Sequence, residues 1–268
     1  MGWCADPYLT YLKSFGYNVI RLPKADLKPL QLMAKQGKEL NKLGDLTTLL
    51  VAGENIAVPK IEADTVAANI SGQRTGEVSI GIGLSILGNI IGAMGGSKLG
   101  LETSYKQAKS AAFEFTGVLE DKIELIELDQ YLADADVNPF SRYVADMLEA
   151  DELYVTTATI KSTKFTIEAK KSDGTSLEVE VPVIQGIVGS NVKVANEQST
   201  TTKVSYEGNI PLVFGFQAIR LFYEKGQYKR FKPLEPGFGM RSLEKVPDND
   251  SEWLTTESPF VDMQGFNV

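Results

Sequence analysis

Histidine is missing from all 268 residues. That removes Ser-His-Asp and Cys-His catalysis, imidazole metal ligands and histidine pH switches together. Carboxylates could still run acid–base chemistry, so the enzyme classes are narrowed, and none of the rest is indicated. A single cysteine, Cys4, forbids an intramolecular disulfide and fits a reducing compartment. No basic segment followed by an apolar run opens the chain. No secretory leader is read, and a cytoplasmic protein is expected. Positive charge is in deficit as well: 27 Lys and Arg against 35 Asp and Glu leave −8, the wrong sign for a nucleic-acid partner.

What is present suffices for a core, since 43% of the residues are hydrophobic. Charge is unevenly spread. Residues 1–60 hold eight Lys or Arg against five acids, a local +3. Residues 248–268 hold Asp248, Asp250, Glu252, Glu257 and Asp262 with no base, so their removal would take the chain from −8 to −3. A solubilising tail accounts for that charge equally well. It does not account for Trp253, Leu254, Phe260, Val261, Met263 and Phe266 among the acids. Such groups should dock on the body, each gaining ~1.5–3 kcal/mol on burial.

Along the chain, Asp6-Pro7 and Gly16 bracket a short helix over 7–15. Residues 17–22 alternate as a strand that Pro23 should stop. Asn138-Pro139 starts a helix over 140–149, and 122–134 holds another. Strands are expected over 64–75, 109–119 and 164–169. After the Asp173-Gly174 turn, Leu177, Val179, Val181 and Val183 alternate with Ser176, Glu178, Glu180 and Pro182, completing a hairpin with 164–169. Ile210 to Tyr223 is a buried run, strand or helix. From Phe231 onward Pro233, Pro236, Gly237, Gly239 and Pro247 break regular structure, so 232–250 reads as an exposed connector. The fold class is α+β, an antiparallel sheet with helices around it.

Val78 to Ser97 contains no charge in twenty residues, the length of a membrane helix, but six of them are glycine. Ile80, Ile82, Leu84 and Ile86 alternate with Ser79, Gly81, Gly83 and Ser85, the period of a strand with an apolar side and a small neutral side. Residues 78–87 have the length of a tilted strand that crosses a bilayer. An ordinary half-buried sheet strand carries the same pattern. From Gly88 the spacing of Ile90, Ile91 and Met94 is more helical. Gly81-Ile82-Gly83 is no dinucleotide fingerprint, because Ile86 stands where the third glycine belongs. Cys4, close to the N-terminus, could carry a thioester-linked fatty acid worth ~0.8 kcal/mol of membrane affinity per buried CH₂. An inert buried thiol fits the residue too.

The stretch from Cys4-Ala5-Asp6-Pro7-Tyr8-Leu9 through Leu12-Lys13-Ser14-Phe15-Gly16-Tyr17-Asn18-Val19-Ile20-Arg21-Leu22-Pro23 to Pro29-Leu30-Gln31-Leu32 resembles bacterial gasdermins. Length, near-terminal cysteine, uncharged segment and acidic tail extend the resemblance over the whole chain. It implies a twisted antiparallel sheet with surrounding short helices, like a gasdermin N-domain, closed by a C-terminal inhibitory peptide. The divisions are then a pore-forming body (1–238), a cleavable connector (239–250) and an autoinhibitory peptide (251–268) held through Trp253, Leu254, Phe260, Val261 and Phe266. Palmitoylation of Cys4 is implied, with no cofactor or metal. So is cutting by a caspase-like or trypsin-like protease, for which Arg241, Leu243, Lys245 and Asp248 are candidates.

The implied activity is not enzymatic. A monomeric cytoplasmic precursor is cleaved, oligomerises in the bacterial inner membrane and forms large β-barrel pores that kill the cell in defence against phage. Membrane lipids are the partners of the cut form. The segments expected to become membrane hairpins are 66–118 and 153–185, with Ile80, Ile82, Leu84 and Ile86 as a membrane strand and Glu77, Lys98 and Glu102 at a rim or towards water. Two other readings of the residues stay open: a carboxylate-dependent hydrolase, and a soluble β-rich binding or scaffold protein with an acidic tail.

Overall fold

The computed structural model describes residues 12, 15–24, 26–36, 39–196 and 198–233. In chain order the elements begin with β1 (Asn18–Lys24), β2 (Gln31–Gln36), β3 (Glu39–Asp45), α1 (Leu46–Leu49), β4 (Leu50–Val51), β5 (Glu62–Val66) and β6 (Val78–Ser79). Next come α2 (Ile80–Ala93), α3 (Leu101–Ser104), β7 (Ser110–Thr116), β8 (Leu119–Lys122), α4 (Leu125–Asp134), β9 (Asp136–Val137) and α5 (Arg142–Glu149). The chain then runs through β10 (Leu153–Lys170), β11 (Val179–Glu180), α6 (Val181–Val188), β12 (Val192–Val194), β13 (Thr200–Thr201), β14 (Lys203–Glu224) and β15 (Gln227–Pro233).

Two long strands, β10 of 18 residues and β14 of 22, form the spine of a sheet that has 11 strands among the described residues. They pair antiparallel from Tyr154↔Arg220 to Glu168↔Lys203, with three register shifts that bend the pair. Threonine, valine and isoleucine are plentiful in β10, and such side chains suit a pleated, packed surface. The free side of β10 is taken in turn by β2, β8 and β7, and that of β14 by β15, β1 and β12.

Helices cover the sheet unevenly. At one end α1, α4 and α5 bury Leu46, Leu49, Leu128, Tyr131, Leu132 and Leu148 against Val155, Ile219 and Leu221. At the other, α2, α3 and α6 bury Leu87, Ile90, Ile91, Leu101 and Ile184 against Phe113, Phe115, Phe165, Tyr206 and Phe214. A smaller cluster of Ile20, Met33, Tyr154, Val213, Phe216 and Ala218 lies on the reverse face, as the alternation of Tyr154 with Val155 requires.

Most expected elements are present. The helices over 122–134 and 140–149 appear as α4 and α5, the strand over 109–119 as β7, and the run 210–223 lies within β14. Four expectations need correction. Pro23 does not stop β1, which runs to Lys24; the ladder register breaks between Val19 and Lys24, so the missing N–H is tolerated. Of 64–75 only the start is strand, because 67–73 turns on itself through Ile70 N–H to Ala67 O and Gln73 N–H to Ile70 O. The hairpin after Asp173-Gly174 stops early: Leu177 N–H reaches Ala169 O, but from Val181 the chain is helix α6. Most importantly, the strand expected over 78–87 ends at Ser79, and Ile80, Ile82, Leu84 and Ile86 all lie on α2. The helix over 7–15 falls largely outside the described residues; of the connector expected over 232–250, Lys232 and Pro233 still pair with Arg220 and Ile219 in β15, and the rest lies outside the described residues.

Candidate membrane-insertion site

The two segments that alternate like strands but fold as helices lie side by side over the end of the sheet formed by β7, β10, β14 and β12. In α2 a rotation of 100° per residue scatters the four alternating residues around the cylinder. Ile86 is buried, Ile80 and Leu84 are half-buried, and Ile82 is left 43% exposed. The face towards the sheet is instead Gly83, Ile86, Leu87, Ile90 and Ile91. Burial of the four large groups contributes about 1.5–3 kcal/mol each, which overrides the local alternation.

Intrinsically α2 is a poor helix. Four of its 14 residues are glycine, each about 1 kcal/mol less favourable than alanine inside a helix. One has a packing reason: a Cβ on Gly83 would stand 3.0 Å from the Ala111 Cβ. Gly81 and Gly92 face open space, so packing does not explain them. The apolar gap under the C-terminal half of α2, among Ile90, Met94, Phe115, Leu212 and Phe214, measures only about 10 Å³. The helix is held by close packing and not by its own propensity.

Helix α6 repeats the conflict. Val181, Val183, Ile184, Ile187 and Val188 give it five β-branched residues in eight, and such side chains lose χ1 freedom in a helix. Pro182 in the first turn and Gly189 at φ 81° just past the end favour a start and a stop. Val181, Ile184 and Val188 are buried, whereas Val183 is 48% exposed. The Gln185 side chain ties the helix to β12 and to the turn between them. Its Nε2 donates to Gly189 O (2.8 Å) and Val192 O (2.9 Å), and its Oε1 accepts the Val194 N–H (2.8 Å).

The two helical segments touch. Asn191 Nδ2 donates to Gly95 O (2.9 Å) and Ser97 N–H to Val188 O (3.1 Å). A Cβ on Gly96 would lie 2.7–2.8 Å from Val192, Ile91 and the Val188 carbonyl, so only glycine fits there. Tyr105, just past α3, meets Tyr206 of β14 hydroxyl to hydroxyl at 3.1 Å in the core, and the Tyr206 ring stacks on Phe165 at 5.0 Å.

Charge gathers where α2 begins. The Glu77 carboxylate accepts from Lys170 Nζ and from Ser110 Oγ (2.9 Å), with Arg74 at 3.9 Å. Arg74 reaches Glu168 at 3.4 Å. Lys170 chiefly, then Ser110, holds the Glu77 carboxyl below its ordinary pKa against a small opposing effect of burial. The cluster ties 74–77, leading into α2, to the end of β10. Further along β10, burial disfavours the Lys161 ammonium, yet Asp121 (2.6 Å) and Asp64 (2.9 Å) hold its pKa above the usual value.

These polar ties escaped the sequence, because their partners stand up to 101 positions apart. Cys4, the cut-site candidates Arg241, Leu243, Lys245 and Asp248, and the peptide residues Trp253, Leu254, Phe260, Val261 and Phe266 lie outside the described residues. Among the described residues no helix is long and apolar enough to span a membrane, and no cluster of three metal-ligating side chains occurs.

Comparison with known proteins bears on the whole arrangement. A Gasdermin bGSDM of a Desulfuromonadales bacterium is 62% identical over 264 residues, covering 98% of this chain and 99% of that one. One from Lysobacter enzymogenes is 43% identical over 235 residues, 87% of each chain. The solved structure of a bacterial gasdermin from Bradyrhizobium tropiciagri shares the fold at a TM-score of 0.56 and 13% identity, covering 98% of both chains. The Bacterial Gasdermin Family matches residues 20–227, and together with the relatives it shows that the chain belongs to the bacterial gasdermin family.

Proposed function

We propose that this pore-forming gasdermin is not an enzyme, and that it is held dormant by its C-terminal peptide 251–268 until a caspase-like or trypsin-like protease cuts within 239–250. The observation that carries the reading is the pair of segments, 80–86 and 177–183, whose side chains alternate as strands, although the first is held wholly as helix and the second as helix from Val181 onward. A conflict between local pattern and global fold marks a place kept for something other than stability. Re-formed as strands, Ile80, Ile82, Leu84 and Ile86 regain one apolar side, and Leu177, Val179, Val181 and Val183 another. Ile82 and Val183, exposed in the helices, then face lipid with the rest.

The existing sheet favours this route. β7 and β10 pair from Thr116↔Lys164 to Ser110↔Lys170, so the segments 66–118 and 153–185 are already neighbours at the point where each would lengthen. Open sheet edges cannot face hydrocarbon, so insertion requires closure of strands from many copies into a barrel. Cleavage turns a tethered peptide into a separate molecule that dilution can remove. Loss of the three acids of 251–268, and of Asp250 and Asp248 as well where the cut falls before them, eases approach to anionic lipid. A palmitoyl group on Cys4 would add membrane affinity. The biological setting is cytoplasmic storage, insertion into the inner membrane, and cell death that limits phage.

Dye release from lipid vesicles tests the reading. The intact chain should be silent, and the chain cut within 239–250 should release dye as it oligomerises. A cut, monodisperse and water-soluble body that leaves vesicles intact would overturn it.

A further inference from the structure

We propose that the inserted sheet continues the ladders of the dormant one without slippage, so that its two hairpins turn side by side at Met94-Gly95 and Gln185-Gly186. This rests on the reading of 66–118 and 153–185 as membrane segments and adds their register, their turns and the strand that follows the second turn.

Three ladders fix the positions. Between β6 and β7, Val78 pairs with Ala111 and Ser79 with Ser110, and the Ile80 N–H already reaches Lys109 O. Continued pair by pair, this ladder brings Ala93 opposite Gly96 and leaves Met94-Gly95 as a two-residue turn. Between β10 and β14, Lys164 pairs with Glu207 and Glu168 with Lys203. Continued, it brings Ile184 opposite Ile187 and leaves Gln185-Gly186 as the turn. These ladders share no strand, yet a third joins them. The pairs of β10 with β7, from Lys164↔Thr116 to Lys170↔Ser110, carried on, set Gln185 opposite Gly95 and Gly186 opposite Met94. The turns stand level. Each has glycine in its second place, where a type I′ hairpin turn needs a positive φ. Gly95 already has φ 80°, and a Cβ on Gly186 within α6 would meet nothing within 4 Å, so dormant packing does not call for glycine there.

Side chains sort on the same register, because directly opposed residues share a face. Leu99 comes opposite Ile90 in its own hairpin and Val181 in the other, and Leu101 comes opposite Val179. Leu99, 82% exposed in the dormant chain, joins Ile82 and Val183 on this apolar side. Lys98, Glu102, Lys106, Glu178, Glu180 and Lys193 all fall on the other side, with Glu178 directly opposite Lys193. Two shorter pairings of the dormant chain are incompatible with this order. The β11–β13 pair sets Val179 against Thr201, and its continuation carries Lys193 to the apolar side. The Asp173-Gly174 turn, flanked by the bridge Lys170↔Ser176, ends a hairpin opposite Gln107, well short of Gly95. Both open on insertion, as does β12 from β14.

Cysteine pairs on dye-loaded phosphatidylcholine/phosphatidylglycerol vesicles test the register, with disulfides mapped by mass spectrometry so that any bond to Cys4 is told apart. V179C/T201C should cross-link in the uncut chain, and that link should keep the cut protein silent until it is reduced. V179C/V192C should cross-link only after cutting and insertion, without stopping leakage. K193E sets two acids opposite one another and should slow leakage of the cut chain about threefold, and adding E178K should restore it. Glu178 and Lys193 are exposed in the dormant chain, so the melting temperature of the uncut variants should hold. If leaking protein gives the 179–201 link and not the 179–192 link, the dormant pairing persists and the proposal is wrong, while the pore reading survives. Leakage that K193E leaves unchanged, or slowing that E178K fails to relieve, also overturns it. A cut parent that leaves vesicles intact removes the membrane segments and their register together.

Discussion

Tyr105 and Tyr206 share a hydrogen bond 3.1 Å long between buried hydroxyls, one from the segment that follows α2 and one from the sheet spine. Neither hydroxyl reaches water, so each satisfies the other. Removing one leaves its partner buried without a bond, at a cost of about 1–3 kcal/mol; removing both is nearly neutral. Y206F should therefore lower stability in urea by about that amount, and Y105F/Y206F should recover much of the loss. A double variant as weak as the sum of the singles would deny the coupling.

The same pair predicts alkaline sensitivity. Burial pushes the Tyr105 phenol up to about 12 from 10.0, and burial together with Tyr105 raises Tyr206 well above 10.0. A group whose folded pKa is raised contributes stability that is full below its unfolded pKa and is lost as pH rises through the folded value. Melting temperature should accordingly decline as pH climbs from 10 towards 12, more steeply in the parent than in Y105F/Y206F. Parallel declines would assign the loss to other tyrosines.

Glycine in α2 gives a prediction about rate. G81A and G92A add methyl groups into open space and should each stabilise the helix by roughly 0.5–1 kcal/mol. If α2 must melt for insertion, both variants should raise the melting temperature while slowing vesicle leakage after cleavage. G96A should do the reverse to stability, since its methyl would press on Ile91, Val192 and the Val188 carbonyl. Faster leakage from the more stable variants would sever α2 from the activation step.

Sequence patterning revealed some parts of the fold and misdirected others for one reason. β7 was legible because Phe113 and Phe115 alternate within a strand whose neighbours are strands, and α5 because Asn138-Pro139 announces it. Over 80–86 and 181–183 the alternation is equally clear, yet tertiary burial of Leu87, Ile90, Ile91, Ile184 and Val188 decides for helix. The exposure of Ile82 and Val183 is the trace of that contest. Gln185 and Glu77 carry no local signature. Their meaning depends on β12 and on Lys170, which only the folded chain brings near.

Gln185 should behave as a staple. Its amide makes three hydrogen bonds to the backbone at Gly189, Val192 and Val194. Q185A leaves those groups to find water and should cost about 1–3 kcal/mol. Amide hydrogen exchange should rise most at 192–194 and within α6, with little change in β2 or α5. Uniform acceleration across the sheet would show a global loss instead.

The Glu77–Lys170 pair supplies the last expectation, with a definite sign. Lys170 and Ser110 lower the Glu77 pKa from 4.5, so its contribution is present above 4.5 and is lost as pH falls through the depressed value. The pair is substantially exposed, so the effect is small and weakens with salt. It ties the entry to α2 to the end of β10, and in the proposed refolding those two places part before either segment lengthens. Cut protein should therefore leak faster as pH drops from neutral through 4.5, and E77Q should leak faster at neutral pH with a flatter profile below it. High salt should bring the parent towards E77Q at neutral pH. An E77Q profile that keeps the parental slope would place the acid sensitivity elsewhere.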